Sequence, residues 1–147
     1  PVHPGNVGAT ARAMKHMGLD DLVLVRPAQF PSAEATALAS GADDLLARAR
    51  VVDTVADAVA GCRLVYGTSA RTRSQYYWPG HTPREAAPKL LAAAAEGHAA
   101  VLFGTERIGL TNEELELCHA LIHIPTNPEY DSLNLSQAVQ VLAYELR

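Results

Sequence analysis

The sequence predicts an α/β fold, a mainly parallel sheet with helices on both faces. Short apolar runs at Leu22–Val25, Leu64–Tyr66, Ala100–Phe103 and Leu121–Ile124 alternate with segments of helical period, the order that a parallel sheet with crossover helices requires. Those runs also lack polar alternation, as expected of strands covered on both sides. A weaker fifth strand falls near Val51 and Val52.

The first helix is expected from Val7 to Met17, with Asn6 as its cap and Gly18 as the left-handed residue that stops it. Val7, Ala11 and Met14 then share the apolar face, and Arg12 lies off it. Thr54 caps a short helix from Val55 to Ala60. Thr82-Pro83-Arg84-Glu85 is a capping box with Pro at the first helical position; Pro88 leaves a second start open, just before Lys89. Thr111-Asn112-Glu113-Glu114 is another capping box, with Leu110 and Leu115 spaced as its hydrophobic staple. In the final helix Leu135, Ala138, Val139, Leu142 and Leu146 form one stripe, the strongest helical period in the chain.

With 147 residues, 48% of them hydrophobic, the chain suits one globular domain over its whole length. No apolar run approaches the roughly 18 residues of a membrane span, and nothing resembles a signal peptide. Cys62 and Cys118 lack CxxC spacing, so they read as buried thiols rather than as a disulfide or zinc site, and a cytoplasmic location follows as the default. The histidines (His3, His16, His81, His98, His119, His123) show no metal-ligand spacing, and no metal is expected. The chain opens without methionine on a turn and closes with its last helix still in pattern, which reads as trimming at both ends.

A net charge of −4 argues against a broadly basic nucleic-acid binder. The distribution is less uniform: Arg63, Arg71, Arg73, Arg84 and Lys89 face a single acid, Glu85, in the same stretch. A local basic face of this kind is compatible with RNA, because phosphate contact depends on the local field. Within it, Arg71-Thr72-Arg73-Ser74-Gln75-Tyr76-Tyr77-Trp78 combines two arginines with three aromatics. Bases of a single-stranded loop stack on such rings while phosphates meet arginine; packing of Tyr77 and Trp78 against the core or a second subunit is the alternative.

Three separated blocks carry the remaining chemistry. They are Pro4-Gly5-Asn6-Val7-Gly8-Ala9-Thr10-Ala11-Arg12-Ala13, Phe103-Gly104-Thr105-Glu106-Arg107-Ile108-Gly109-Leu110, and Ser132-Leu133-Asn134-Leu135-Ser136-Gln137. Each is a polar or Gly-rich turn running into a helix, with backbone amides and a few fixed side chains available to a ligand. Taken singly, their residues have plainer readings: Asn6, Ser132 and Asn134 as helix caps, Gly104 and Gly109 as tight turns, Glu106 and Arg107 as an exposed pair.

In this order the three blocks closely resemble the three motifs of the SPOUT superfamily of RNA methyltransferases, in its SpoU/TrmH class, nearest to the TrmJ-type tRNA ribose 2′-O-methyltransferases. The resemblance runs from Pro4 to Leu146. It implies a C-terminal deep trefoil knot, a homodimer whose sites borrow from the partner, and S-adenosylmethionine held by Thr68, Ser69, Ala70, Gly104, Ile124, Ser132 and Leu133. Ile124, Pro125 and Leu133 offer apolar walls for adenine, and Gly104 is expected to let the backbone approach the ligand.

By the same resemblance Arg12 is the essential arginine, in the N-x-G-x-x-x-R spacing of Asn6, Gly8 and Arg12. Glu106 is the carboxylate that holds Asn6 or Arg12, and Ser132 and Asn134 complete the catalytic set. A guanidinium with a pKa above about 12 is a poor base. Arg12 is therefore expected to grip a substrate phosphate and polarise the 2′-hydroxyl region, and it counts with Arg71 and Arg73 among the RNA contacts.

The implied function is tRNA 2′-O-methylation of cytidine or uridine at the first anticodon-loop nucleotide, with ribosomal RNA as the alternative substrate. The chain as given is expected to keep cofactor binding but to bind tRNA weakly. Two readings of other classes stay open: a non-catalytic RNA-binding module, and a dinucleotide-binding oxidoreductase using Gly5, Gly8 and Ala11 as a phosphate turn. The latter needs an acid after the next strand, where Arg26 stands.

Overall fold

The computed structural model describes residues 1–69, 79–130 and 133–147. Its first helix, α1 (Pro4–His16), begins earlier than expected: Pro4 takes the first helical position and His3 the cap, without a side-chain bond. Proline suits that position because its fixed φ is already helical and its missing N–H would be unpaired there. Asn6 is therefore inside the first turn and does not cap the helix. The other end is as expected, with Gly18 at φ 77° and Leu19 N donating to Met14 O at 2.9 Å.

Two helices have no counterpart in the sequence reading, α2 (Ala33–Ala39) and α3 (Asp43–Ala47). α2 is rich in alanine, which packs well but gives little amphipathic contrast, and α3 is only five residues long with no side-chain cap. Ser32 starts α2 by accepting from Glu34 N at 3.2 Å. α2 lies directly on α1, so close that a Cβ on Gly8 would overlap the Ala35 backbone. The glycine of the first block thus serves a helix crossing. It is buried in the middle of a helix and cannot form the phosphate turn that the oxidoreductase reading needs.

All strand pairings in the two described sheets are parallel. β1 (Val23–Val25) pairs with β2 (Arg50–Val52) in a two-stranded sheet. β3 (Leu64–Thr68), β4 (Gly80–His81), β5 (Ala99–Leu102) and β6 (Ala120–Ile122) form a second sheet in the order β4-β6-β3-β5. The strands are thus split between two sheets, and β4, too short to show a period, was not legible in the sequence.

Both faces of the larger sheet are covered. Val65 and Leu121 point to one side, against Leu110, Leu115 and Cys118, close to α6 (Asn112–Leu115). Tyr66, Ala120 and Ile122 point to the other, against Ala86 and Leu90 of α5 (Pro83–Glu96) and Leu142 of α7 (Leu135–Leu146). α4 (Val55–Val59) is capped by Thr54 as expected. The capping box of Thr82 and Glu85 sets the start of α5, so Pro88 lies inside the helix and removes one backbone bond rather than delaying the start.

A third cluster joins Val7, Ala11 and Met14 of α1 to Leu24, Ala35, Leu45 and Val139. α7 therefore packs on both α1 and α5, and this brings the first and third sequence blocks together. Cys118 is buried, its thiol donating to Glu114 O at 3.6 Å; burial and then the Glu114 charge push it up to about 11. Among the described residues no helix is long and apolar enough to cross a membrane.

Candidate functional site

The second block follows β5 as a tight turn, closed by a bridge between Thr105 and Gly109 with Gly109 N donating to Thr105 O at 3.0 Å. The turn folds back onto Gly104, where a Cβ would overlap the backbone of Gly109 and Leu110. Gly104 lines the neighbouring cleft, but its lack of a side chain is required by the turn itself.

The turn aims Glu106 at the start of α1. Its carboxylate accepts from Val2 N at 2.9 Å (Oε1), His3 N at 2.9 Å (Oε2) and Asn6 Nδ2 at 3.1 Å (Oε2). Partial burial pushes this carboxyl up, but the hydrogen bonds from Val2, His3, Asn6 and its own backbone N–H outweigh it and bring it down to about 2. Donation to Glu106 fixes the orientation of the Asn6 amide, so its Oδ1 faces the other way and accepts from Asn134 Nδ2 at 3.2 Å.

Asn134 is the N-cap of α7. Its Oδ1 accepts from Ser136 N at 2.8 Å and from Ser136 Oγ at 2.6 Å, and its own N–H donates to Gln137 Oε1 at 3.2 Å. Capping and long-range bonding coexist here, because the amide's two ends do different work. Glu106, Asn6 and Asn134 thus form one hydrogen-bonded chain linking all three blocks.

Beside this chain is a cleft of about 650 Å³. Thr68 and Ser69 line it from the end of β3, Gly104 from the turn, and Ile124 and Leu133 from the segment between β6 and α7. Thr68 is fixed by donation from Oγ1 to Leu102 O at 2.9 Å. The volume falls within the roughly 300–1,000 Å³ of small-molecule sites. Thr126 and Ile108 also line it; both fall inside stretches that the sequence marks for the ligand, but neither stands out singly, since neither belongs to a charged or capping pattern.

Arg12 does not join Glu106: Asn6 alone of the two expected partners is held by it. Arg12 is exposed on α1 and borders a separate shallow groove with Ser136, Gln137 and Gln140 of α7. Among the described residues it makes no ion pair. Ala70, Arg71, Arg73 and Ser132 lie outside the described residues, as do Tyr76, Tyr77 and Trp78. Among the described residues no group of three or more His, Cys, Asp or Glu side chains is placed to hold a metal ion.

The sequence model of the SpoU rRNA Methylase family matches residues 1–144. The chain belongs to this family. Among SpoU relatives it is 56% identical, over 146 residues, to the tRNA (cytidine/uridine/adenosine-2′-O-)-methyltransferase TrmJ of Pseudomonas aeruginosa, covering 99% of this chain and 56% of that protein. It superposes on a probable methylase family protein from Haemophilus influenzae with a TM-score of 0.92 at 50% identity, covering 99% of this chain and 59% of the other. TrmJ from Z. mobilis gives a TM-score of 0.91 at 46% identity, covering 99% and 65%. The chain thus spans little more than half the length of the TrmJ relative from Pseudomonas aeruginosa.

Proposed function

We propose that this chain is the catalytic domain of an S-adenosylmethionine-dependent tRNA ribose 2′-O-methyltransferase that acts at the first nucleotide of the anticodon loop. The reading rests above all on the Glu106–Asn6–Asn134 chain, which ties three motif blocks, distant in sequence, beside one cleft of cofactor size. An enzyme of this kind functions in the cytoplasm as a homodimer; exposed Ile108, Tyr130 and Tyr144 provide apolar surface for such contacts. The deep trefoil knot belongs to the same reading, supported by the way Gly104, Ile124 and Leu133 converge on the cleft.

The residues fit the cofactor. Ile124 and Leu133 give the cleft apolar walls suited to adenine, while Thr68, Ser69 and Thr126 give it a polar side. When bound, S-adenosylmethionine supplies an electrophilic methyl group. Ser132 and Ala70 complete the cofactor set by resemblance.

Arg12 acts as a permanent cation. It grips the phosphate beside the target ribose and polarises the 2′-hydroxyl, whose proton leaves to phosphate or water as the oxygen is methylated. Glu106 stays ionised and keeps Asn6 in one orientation, which in turn orients Asn134 at the head of α7. Arg71 and Arg73 neutralise further phosphates.

Ribosomal RNA is the second reading, favoured by the description of the matching family. Incubating tRNA and ribosomal RNA separately with the protein and S-adenosylmethionine, then mapping methylated nucleotides by mass spectrometry, separates the two. Ribose methylation confined to ribosomal RNA overturns the tRNA assignment, and none on either overturns the activity.

A further inference from the structure

His123 stands one residue beyond β6, between the ends of β3 and β4. Its backbone N–H donates to His81 O at 2.9 Å, carrying the β6–β4 pairing one residue past Ile122. Its ring turns the other way, with Nδ1 at 3.2 Å from Ser69 O. Ser69 N in turn donates to Ile122 O at 3.0 Å. The His123 residue therefore spans from β4 to the segment after β3, and its ring is half-buried between them.

A carbonyl oxygen only accepts, so Nδ1 must carry the proton in this contact. Both the Nδ1-protonated neutral ring and the imidazolium satisfy that condition. The contact joins two walls of the 650 Å³ cleft: Ser69 lines it from the β3 side, and Ile124, the next residue after His123, lines it from the β6 side. Nothing in the proposed methyl-transfer chemistry employs this ring.

We propose that His123 is a positioning residue for the cofactor cleft, holding the Ser69 carbonyl against the start of the 124–133 segment through its Nδ1–H. The inference rests on the cofactor reading given above, and it concerns affinity for the cofactor, not the chemistry at the ribose. A side chain that keeps a donor at the Nδ1 position preserves the spacing between the two walls. One that removes the donor takes this hydrogen bond from the Ser69 carbonyl and loosens the two walls, while the bond from Ser69 N to Ile122 O remains.

The test is calorimetric titration of S-adenosylmethionine into the wild-type chain and into the His123→Ala and His123→Asn variants, with melting temperatures taken in parallel. The asparagine Nδ2–H lies close to where the histidine Nδ1–H was. His123→Ala is expected to weaken binding by about threefold to tenfold, the range of one lost hydrogen bond, and His123→Asn to restore it to within about twofold. Equal affinity in wild type and His123→Ala overturns the proposal. So does His123→Asn binding as weakly as His123→Ala, since a purely structural role for the ring would not be rescued by a donor. Absence of cofactor binding by the wild type would instead overturn the proposed function.

Discussion

Asn134 donates from Nδ2 to Oδ1 of Asn6 at 3.2 Å, joining positions 128 residues apart in the chain. The bond is directional, because the Asn6 amide is already committed to Glu106 through its NH₂ group. Either amide rotated by half a turn would place like groups together. Asn6→Asp therefore sets a carboxylate against Glu106 while leaving the shape intact. We expect this variant to lose methyl transfer and about 1–3 kcal/mol of stability, the cost of a broken, part-buried hydrogen bond with repulsion added. Chemical denaturation with an activity assay checks it; stability and activity within error of wild type would show the link to be incidental.

Glu106 makes folding depend on acid pH. Its carboxyl lies at about 2, below the usual 4.5. A group lowered on folding contributes stability that is present above its unfolded pKa and disappears as pH falls through the folded one. The contribution should be constant above about pH 5 and fade between about 4.5 and 2. It amounts to about 1–2 kcal/mol once solvent screening is allowed for. The stability difference between wild type and Glu106→Gln, measured across that window, should shrink accordingly; a difference independent of pH would remove this role.

Gly104→Ala tests the turn. Its Cβ would meet backbone of Gly109 and Leu110, which cannot swing aside as a side chain can. A loss of about 2–4 kcal/mol is expected in thermal or denaturant unfolding. A neutral substitution would mean that the turn relaxes easily and that the glycine is there for another reason.

Much of the architecture was legible in the sequence. Unalternating apolar runs found β1, β3, β5 and β6 to within a residue or two, capping boxes located α5 and α6 because their side-chain bonds are local, and the apolar stripe of Leu135, Ala138, Val139, Leu142 and Leu146 located α7. α2 escaped notice because alanine carries little contrast, α3 because it is five residues long with no side-chain cap, and β4 because two residues have no period. At the candidate site the residues Asn6, Glu106 and Asn134 stood out, and the family resemblance paired Glu106 with Asn6 or Arg12, but the bond between Asn6 and Asn134 was not foreseen. Asn6 read as a cap because a polar residue before an apolar face usually is one; Pro4 moved the helix start and freed its amide. The hydrogen bonds to Glu106 and Asn134 are long-range, and no local pattern announces them.

For RNA binding, charge gives a quantitative expectation. Arg71 and Arg73 lie in the stretch where basic residues outnumber acids. Replacing either by alanine should reduce the salt dependence of tRNA affinity by about one phosphate's worth, a change in log–log slope near 0.7–0.9. Filter binding over a salt series measures it. An unchanged slope for both variants would assign the phosphate contacts elsewhere.

The central claim is methyl transfer to a tRNA ribose with Arg12 as the essential cation. It is tested most directly by incubating tRNA and S-adenosylmethionine with excess wild-type protein, or with Arg12→Ala, and mapping the digested RNA by mass spectrometry. The account expects one added methyl on the ribose of the first anticodon-loop nucleotide with wild type. It expects none with Arg12→Ala, whose cofactor affinity should be nearly unchanged because Arg12 lies outside the cleft. A methyl group on a base, no transfer by wild type, or activity of Arg12→Ala within a few-fold of wild type would contradict it.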